Sequence, residues 1–285
     1  MQTHKDCFPC FLKQTIMSLD RYADSGTVSQ ETQTDIMKDV LLLMAKADIN
    51  RPPSYTTTYI HRLIRERLGA DPYRLIKLRY NDLAMELYPA LKKKVKAGRD
   101  PLRAASRLAI AGNIIDFGIF SSIDISGSIE RALEEEIAVD DYGTFRHSLS
   151  EAREILYLLD NSGEIVFDRL LIEELECLGK KVKAVVKGSP VLNDATRDDA
   201  IQTDLTSICD VIDNGSDAVG TILEWTSPEF QDEFHAAELV ISKGQGNFET
   251  LAGTEKETYF LFQSKCDVVS GELGLSPGSM LLKKS

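Results

Sequence analysis

Long apolar runs are missing from this sequence. No stretch reaches the roughly 18 apolar residues of a membrane-spanning helix, and the opening MQTHKDCFPCFLKQ lacks the apolar core of a signal peptide. A cytoplasmic protein without membrane association is therefore the expectation. Positive charge is also short: 33 Lys and Arg stand against 45 Asp and Glu, a formal net charge of -12. Such a surface repels polyanions, and Lys92-Lys93-Lys94 falls in a helix-like stretch and reads as a solvated face, so nucleic acid is not expected as a partner. Cysteine is sparse and odd in number, five residues at 7, 10, 177, 209 and 266, which gives no disulfide framework and favours reduced thiols. There is no Walker A sequence, no Gly-x-Gly-x-x-Gly opening a helix and no Gly-x-Ser-x-Gly elbow, which removes the commonest nucleotide-binding and serine-hydrolase readings.

What is present is ordinary in bulk, 43% apolar and 27% charged, enough for a large core in one or two domains. From Phe8 to about Val139 apolar residues recur at helical spacing, as in Leu12, Ile16, Leu19 and Tyr22, then Ile36, Val40, Leu43 and Met44. Breaks fall at Arg51-Pro52-Pro53, Gly69-Ala70-Asp71-Pro72 and Gly98-Arg99-Asp100-Pro101, with a last helix expected around Ser128 to Ile137. Past Ser150 short apolar runs alternate with polar clusters and amphipathic segments, the pattern of a parallel sheet. Strands are predicted at Ile155–Leu159, Val182–Val186, Asp210–Ile212, Leu239–Ser242 and Tyr259–Phe262, with Met280–Leu282 a sixth of open direction. The expected architecture is α/β: a mainly helical domain at 1–150, then a Rossmann-like, mainly parallel sheet with helices on both faces at 151–285.

Ligands of open α/β sheets bind at the carboxyl ends of the strands, and here those ends are polar. The first strand runs into Asp160-Asn161-Ser162-Gly163-Glu164, the second into Lys187-Gly188-Ser189-Pro190-Val191-Leu192-Asn193-Asp194, the third into Asp213-Asn214-Gly215, the fourth into Lys243-Gly244-Gln245-Gly246-Asn247. Asp160, Asn161 and Asp194 are hard oxygen donors without an accompanying Cys or His, suited to Mg²⁺ or Mn²⁺. Lys187 and Lys243 can act as point charges on a phosphate, and glycines such as Gly244 let backbone N–H groups approach an anion. The plainer alternative is that Asp and Asn in such loops only make turns or cap helices; four polar strand ends on one edge weigh against it.

At these residues the sequence resembles the metal-dependent damage-control phosphatases, formerly domain of unknown function 89. The resemblance is carried by Leu159-Asp160-Asn161-Ser162-Gly163-Glu164 with Asp168, by Lys187-Gly188-Ser189-Pro190 with Asn193-Asp194-Ala195-Thr196, and by Ser242-Lys243-Gly244-Gln245-Gly246-Asn247-Phe248-Glu249. Cys7-Phe8-Pro9-Cys10 and Ala111-Gly112-Asn113-Ile114-Ile115-Asp116-Phe117-Gly118 look like the microbial stand-alone branch. The resemblance implies a metal held at Asp160, Asn161 and Asp194, with Mn²⁺, Co²⁺ or Ni²⁺ as activating ions. It also implies hydrolysis of phosphomonoesters of small metabolites, sugar phosphates among them. Ser162 stands where relatives often have Ala.

On that reading Asp160, Asp194 and Lys243 carry the chemistry, with Lys243 neutralising charge on the phosphoryl group. Lys187, Asn193, Gly244 and Asn247 contact phosphate or substrate, and Glu164 orients a ligand. Asn113 and Asp116, three apart, share a helical face that can close over the pocket. Whether water or an aspartate attacks phosphorus stays open. Cys7 and Cys10, with His4 nearby, lack the further ligands of a structural zinc and read as packed or weakly reactive thiols. His61, His147 and His235 stand singly and are not expected to ligate metal. Trp225, Phe230 and Phe234 read first as core and only second as a pocket wall. Two rival functions share the fold: an S-adenosylmethionine-dependent methyltransferase, and a regulator that binds a phosphorylated metabolite without turnover.

Overall fold

A computed structural model describes residues 1–23, 28–112 and 133–285. The helical segment comprises α1 (Cys7–Ala23), α2 (Gln30–Met44), α3 (Pro53–Leu68), α4 (Arg74–Ala97) and α5 (Pro101–Ala111). Its boundaries follow local chemistry. Pro53 and Pro101 occupy first turns, where a missing N–H costs nothing. Asp100 caps α5 by accepting from the Arg103 N–H at 3.1 Å, and Gly69 ends α3 at φ 68°, a left-handed conformation that suits glycine.

The remaining elements are β1 (Ile137–Asp140), α6 (Tyr142–Glu151), β2 (Glu154–Leu158), α7 (Glu164–Cys177), β3 (Lys181–Val186), α8 (Arg197–Gln202), β4 (Asp210–Asp213), α9 (Pro228–Ala236), β5 (Leu239–Lys243), α10 (Gln245–Leu251), β6 (Thr258–Gln263), α11 (Asp267–Leu273) and β7 (Met280–Lys284). Seven strands form one sheet in the order β1-β7-β6-β5-β2-β3-β4. All neighbours are parallel except β6 and β7. The α/β expectation therefore holds, and the open direction of β7 is settled. One expectation is corrected: Ile137 does not close a helix but opens β1, because its register with Met280 pairs it to β7. Residues 128–132 of that expected helix lie outside the described residues.

Alternation along the strands feeds two cores. Ile155, Tyr157, Val182, Ala184, Ile241, Tyr259 and Leu261 face α4, α5, α6 and α7. Leu156, Leu158, Val185, Val240, Phe260 and Phe262 face α9, α10 and α11. A third cluster joins α1, α2 and α3 through Phe11, Ile36, Val40, Ile60 and Ile64, with Val268 of α11 packed against it. Full burial of each such side chain stabilises by about 1.5–3 kcal/mol. Phe230 and Phe234 are core, as expected, whereas Trp225 is half-buried against Tyr55 and Tyr59.

The chain leaves central β2 toward β3 and β4, then returns to β5 on the other side and moves outward to β6. The carboxyl ends of β2 and β5 are thus neighbours whose connections diverge, a topological switch point. No described helix is long and apolar enough to cross a membrane.

Candidate active site

Backbone hydrogen bonds stitch the exits of β2 and β3 together at this switch point. Ala195 N–H donates to the Asp160 carbonyl (2.8 Å), Ser162 N–H to the Asn193 carbonyl (2.8 Å) and Lys187 N–H to the Ala195 carbonyl (2.9 Å). Asn161 and Asp194 are bridged as antiparallel partners. Two loops 34 positions apart in sequence, at Asp160 and Asp194, are therefore brought side by side. Helix α4 buttresses them: Asn81 accepts from Gly163 N–H (2.7 Å) and donates to Asp199 and Gln202 (2.8 Å each). Lys77 pairs with Asp199 at 2.8 Å. Gly163, at φ 78°, makes the turn into α7.

Across the switch point, Gly244 follows β5 at φ 82°, and a Cβ there would sit 2.1 Å from Asp160 Cγ. Glycine is required because backbone and carboxylate share that space. Asn247 is spent on structure: it donates to the Lys243 carbonyl (2.8 Å) and the Leu159 carbonyl (3.4 Å) and accepts from Thr221 (2.7 Å). Substrate contact was expected of it; its observed bonds instead tie the ends of β2 and β5.

The two lysines are likewise engaged. Lys187 Nζ donates to the carbonyls of Ala218 (2.8 Å) and Gly220 and lies 3.4 Å from Asp194 Oδ2. Lys243 is fully buried, and its three N–H bonds go to the Ala109 carbonyl (2.7 Å), Glu164 Oε1 (2.7 Å) and Asp168 Oδ1 (2.5 Å). Phosphate contact was expected of Lys243; its ammonium is instead engaged by Glu164, Asp168 and the Ala109 carbonyl. Asn193 contributes its backbone carbonyl to Ser162. Asn113 and Asp116 lie outside the described residues.

Burial first, then Glu164 and Asp194, push Asp160 well above the usual carboxylate range. Burial raises Asp194 against the pull of Lys187, and raises Asp168 to about 7 although Lys243 opposes it. Asp194 Oδ2 is buried without a hydrogen bond. Lys265 and Lys187 pull the other way at Asp160, and Lys187 and Lys77 at Asp194, without outweighing burial. No three His, Cys, Asp or Glu gather as a ready metal cluster among the described residues, so the donor set is two carboxylates and the Asn161 carboxamide. That set of buried hard oxygens, of which Asp194 Oδ2 has no hydrogen bond among the described residues, fits a hard divalent cation.

Several contributors escaped the sequence reading. Asp199 had a signal, the Thr196/Asp199 capping box that opens α8. Lys265 had one too: it lies just past β6, the next strand end along the same edge. It is exposed, draws the proton affinity of Asp160 down, and is anchored by its N–H to Gln245 Oε1 at 2.8 Å. Among the described residues its ammonium makes no hydrogen bond or ion pair, unlike Lys187 and Lys243. Asn81 and Lys77 had no readable signal, being polar residues on a helix. Elsewhere, all five cysteines are free; Cys7 is buried, Cys10 is exposed, and burial holds both thiols above their ordinary range. His61 is buried against Tyr73.

Known proteins resemble this chain over nearly its whole length. Residues 3–281 match the family model described as damage-control phosphatase ARMT1-like domain. A protein of Archaeoglobus fulgidus named damage-control phosphatase is 32% identical over 90% of this chain and 91% of its own length. One of Pyrococcus horikoshii, also named damage-control phosphatase, is 31% identical over 100% and 99%. An uncharacterized protein of Methanocaldococcus jannaschii is 33% identical over 98% and 94%. The crystal structure of a DUF89 family protein from Pyrococcus horikoshii superposes with a TM-score of 0.92 at 30% identity, covering 100% of this chain and 99% of that one.

Proposed function

Because the chain belongs to the damage-control phosphatase ARMT1-like family, we propose that it hydrolyses phosphomonoesters of small metabolites, sugar phosphates and side-product phosphometabolites among them, with a divalent cation at Asp160, Asn161 and Asp194. The observation that carries this reading is the gathering of hard oxygen donors at the switch point: Asp160, Asn161 and Asp194 are brought side by side by the two loops, and Asp194 Oδ2 is buried with no hydrogen bond among the described residues. A bound Mn²⁺, Co²⁺, Ni²⁺ or Mg²⁺ would supply Lewis acidity toward a phosphoryl oxygen.

The chain's own groups divide the remaining work. Lys187 and Lys243 hold the carboxylates in place from behind. Lys265, exposed at the mouth, meets the incoming phosphate as a point charge. Asp160 lies at the junction of both loops, positioned either to take the proton of an attacking water or to attack phosphorus itself. In the first course the phosphorus–oxygen ester bond breaks as the water oxygen joins phosphorus, and the alcohol leaves with the proton Asp160 took up; in the second the alcohol takes a proton from solvent, and water then cleaves the aspartyl phosphate to release phosphate and restore Asp160. The methyltransferase alternative is disfavoured because the exit of β2 carries Asp160 and Asn161 where a methyl-donor site needs a glycine-rich turn.

Hydrolysis of p-nitrophenyl phosphate by metal-stripped protein, with Mg²⁺, Mn²⁺, Co²⁺ or Ni²⁺ added back, tests the reading. Turnover is expected to return with metal in the wild type and to drop at least about 100-fold in Asp194→Ala. Metal binding without turnover of this or any sugar phosphate would favour the non-catalytic regulator. Absence of both sinks the metal site.

A further inference from the structure

Asn161 reaches the site through a carboxamide whose two ends differ chemically: the oxygen can ligate a cation and the NH₂ cannot. Which end faces the pocket is decided by hydrogen bonds. Nδ2 donates to Asp160 Oδ2 at 2.6 Å and to Glu164 Oε2 at 3.1 Å, so both donors are consumed and Oδ1 is the end left for a ligand. Glu164 is held in turn through its other oxygen by Lys243 at 2.7 Å.

Lys243 comes from a different strand and is held by Asp168, one helical turn beyond Glu164 on α7. Glu164 and Asp168 thus receive the same ammonium group. Asp168 Oδ1 also accepts from the Tyr157 hydroxyl at 2.8 Å, while its Oδ2 is buried with no partner. All the polar bonds of Asp168 therefore converge on one oxygen, aimed at Lys243. Tyr157, Asp168 and Lys243 are each at most 0% exposed, so no solvent competes for these bonds.

Resting on the phosphatase reading above, we infer that Asp168 and Tyr157 are positioning residues. They fix Lys243, Lys243 fixes Glu164, and Glu164 fixes the rotation of the Asn161 carboxamide so that its oxygen faces the cation. Neither residue touches substrate. Neutralising Asp168 lets Lys243 move wholly onto Glu164, which loosens the Glu164 to Asn161 bond and frees the amide to turn its NH₂ inward. Outer supports of metal ligands act in this way, and their loss commonly weakens metal binding about 10–100-fold.

The test is a calorimetric Mn²⁺ titration of metal-stripped wild type, Asp168→Asn and Tyr157→Phe, paired with p-nitrophenyl phosphate kinetics over a range of Mn²⁺. The expected result is a Kd for Mn²⁺ raised about tenfold or more in Asp168→Asn and about threefold in Tyr157→Phe. At saturating Mn²⁺ the turnover of both variants returns toward wild type with an unchanged KM. A merely structural role lowers the unfolding midpoint without moving Kd, and an unchanged Kd in folded variants overturns the inference while leaving the phosphatase reading intact. Should Asp168→Asn fail to fold, the near-isosteric Tyr157→Phe decides alone. Wild type that binds no Mn²⁺ overturns both.

Discussion

At Gly244 the site leaves no space for even one carbon. Replacement by Ala places a Cβ against the Asp160 carboxylate and forces a side chain into a positive-φ conformation. The expected outcome for Gly244→Ala is a stability loss of about 1–3 kcal/mol in urea unfolding, together with loss of metal-restored turnover. His61 makes a second, independent prediction. Burial first, then Arg65, push its pKa down to about 3, below the value of about 6.5 in the unfolded chain. The unfolded state then binds the extra proton, so stability rises with pH between those two values and falls as acid is added. Wild type should lose about 2 kcal/mol between pH 7 and pH 5 through this group. His61→Gln should lack that part of the slope when urea unfolding is repeated at both pH values. The motif residues Asp160, Asn161 and Asp194 were legible because strand ends advertise themselves. The engagement of Lys243 and Asn247 was not, because a lysine or asparagine looks the same in sequence whether it faces ligand or a neighbouring carbonyl.

Elements were legible where backbone chemistry is local. Pro53, Gly69 and Pro101 mark helix ends in sequence and in structure alike. β1 was not, because a four-residue strand exists only through its partner β7, some 140 positions away. Side-chain anchors between elements were equally hidden. Asp217, in the loop after β4, binds Arg62 Nη2 at 2.6 Å and also Arg65, both on α3. The same loop supplies the Ala218 and Gly220 carbonyls that hold Lys187. Asp217→Asn should cost about 2 kcal/mol in urea unfolding, less than the loss of a fully buried pair because the group is partly exposed. It should also reduce turnover modestly by loosening Lys187, which steady-state kinetics at saturating Mn²⁺ would register.

For the whole molecule, the helical segment and the sheet behave as one structure. α5 packs on α7, α4 reaches the loop before α7, and α3 clasps the loop after β4. Unfolding should therefore be a single transition. A cation that binds only the folded chain adds about 2.7 kcal/mol at one hundred times its Kd, so Mn²⁺ should raise the melting temperature of wild type and leave that of Asp194→Ala unmoved, as differential scanning calorimetry can measure.

The position of β7 sets the order in which this sheet can be finished during synthesis. β7 lies between β6 and β1 and, among the described residues, is the one strand that β1 pairs with. Until residues 280–284 clear the ribosome, β1 lacks its strand partner among the described residues and β6 presents an open edge. A ribosome stalled shortly before that point would hold a nearly complete sheet with exposed backbone donors and acceptors, the state in which nascent chains most readily pair with one another.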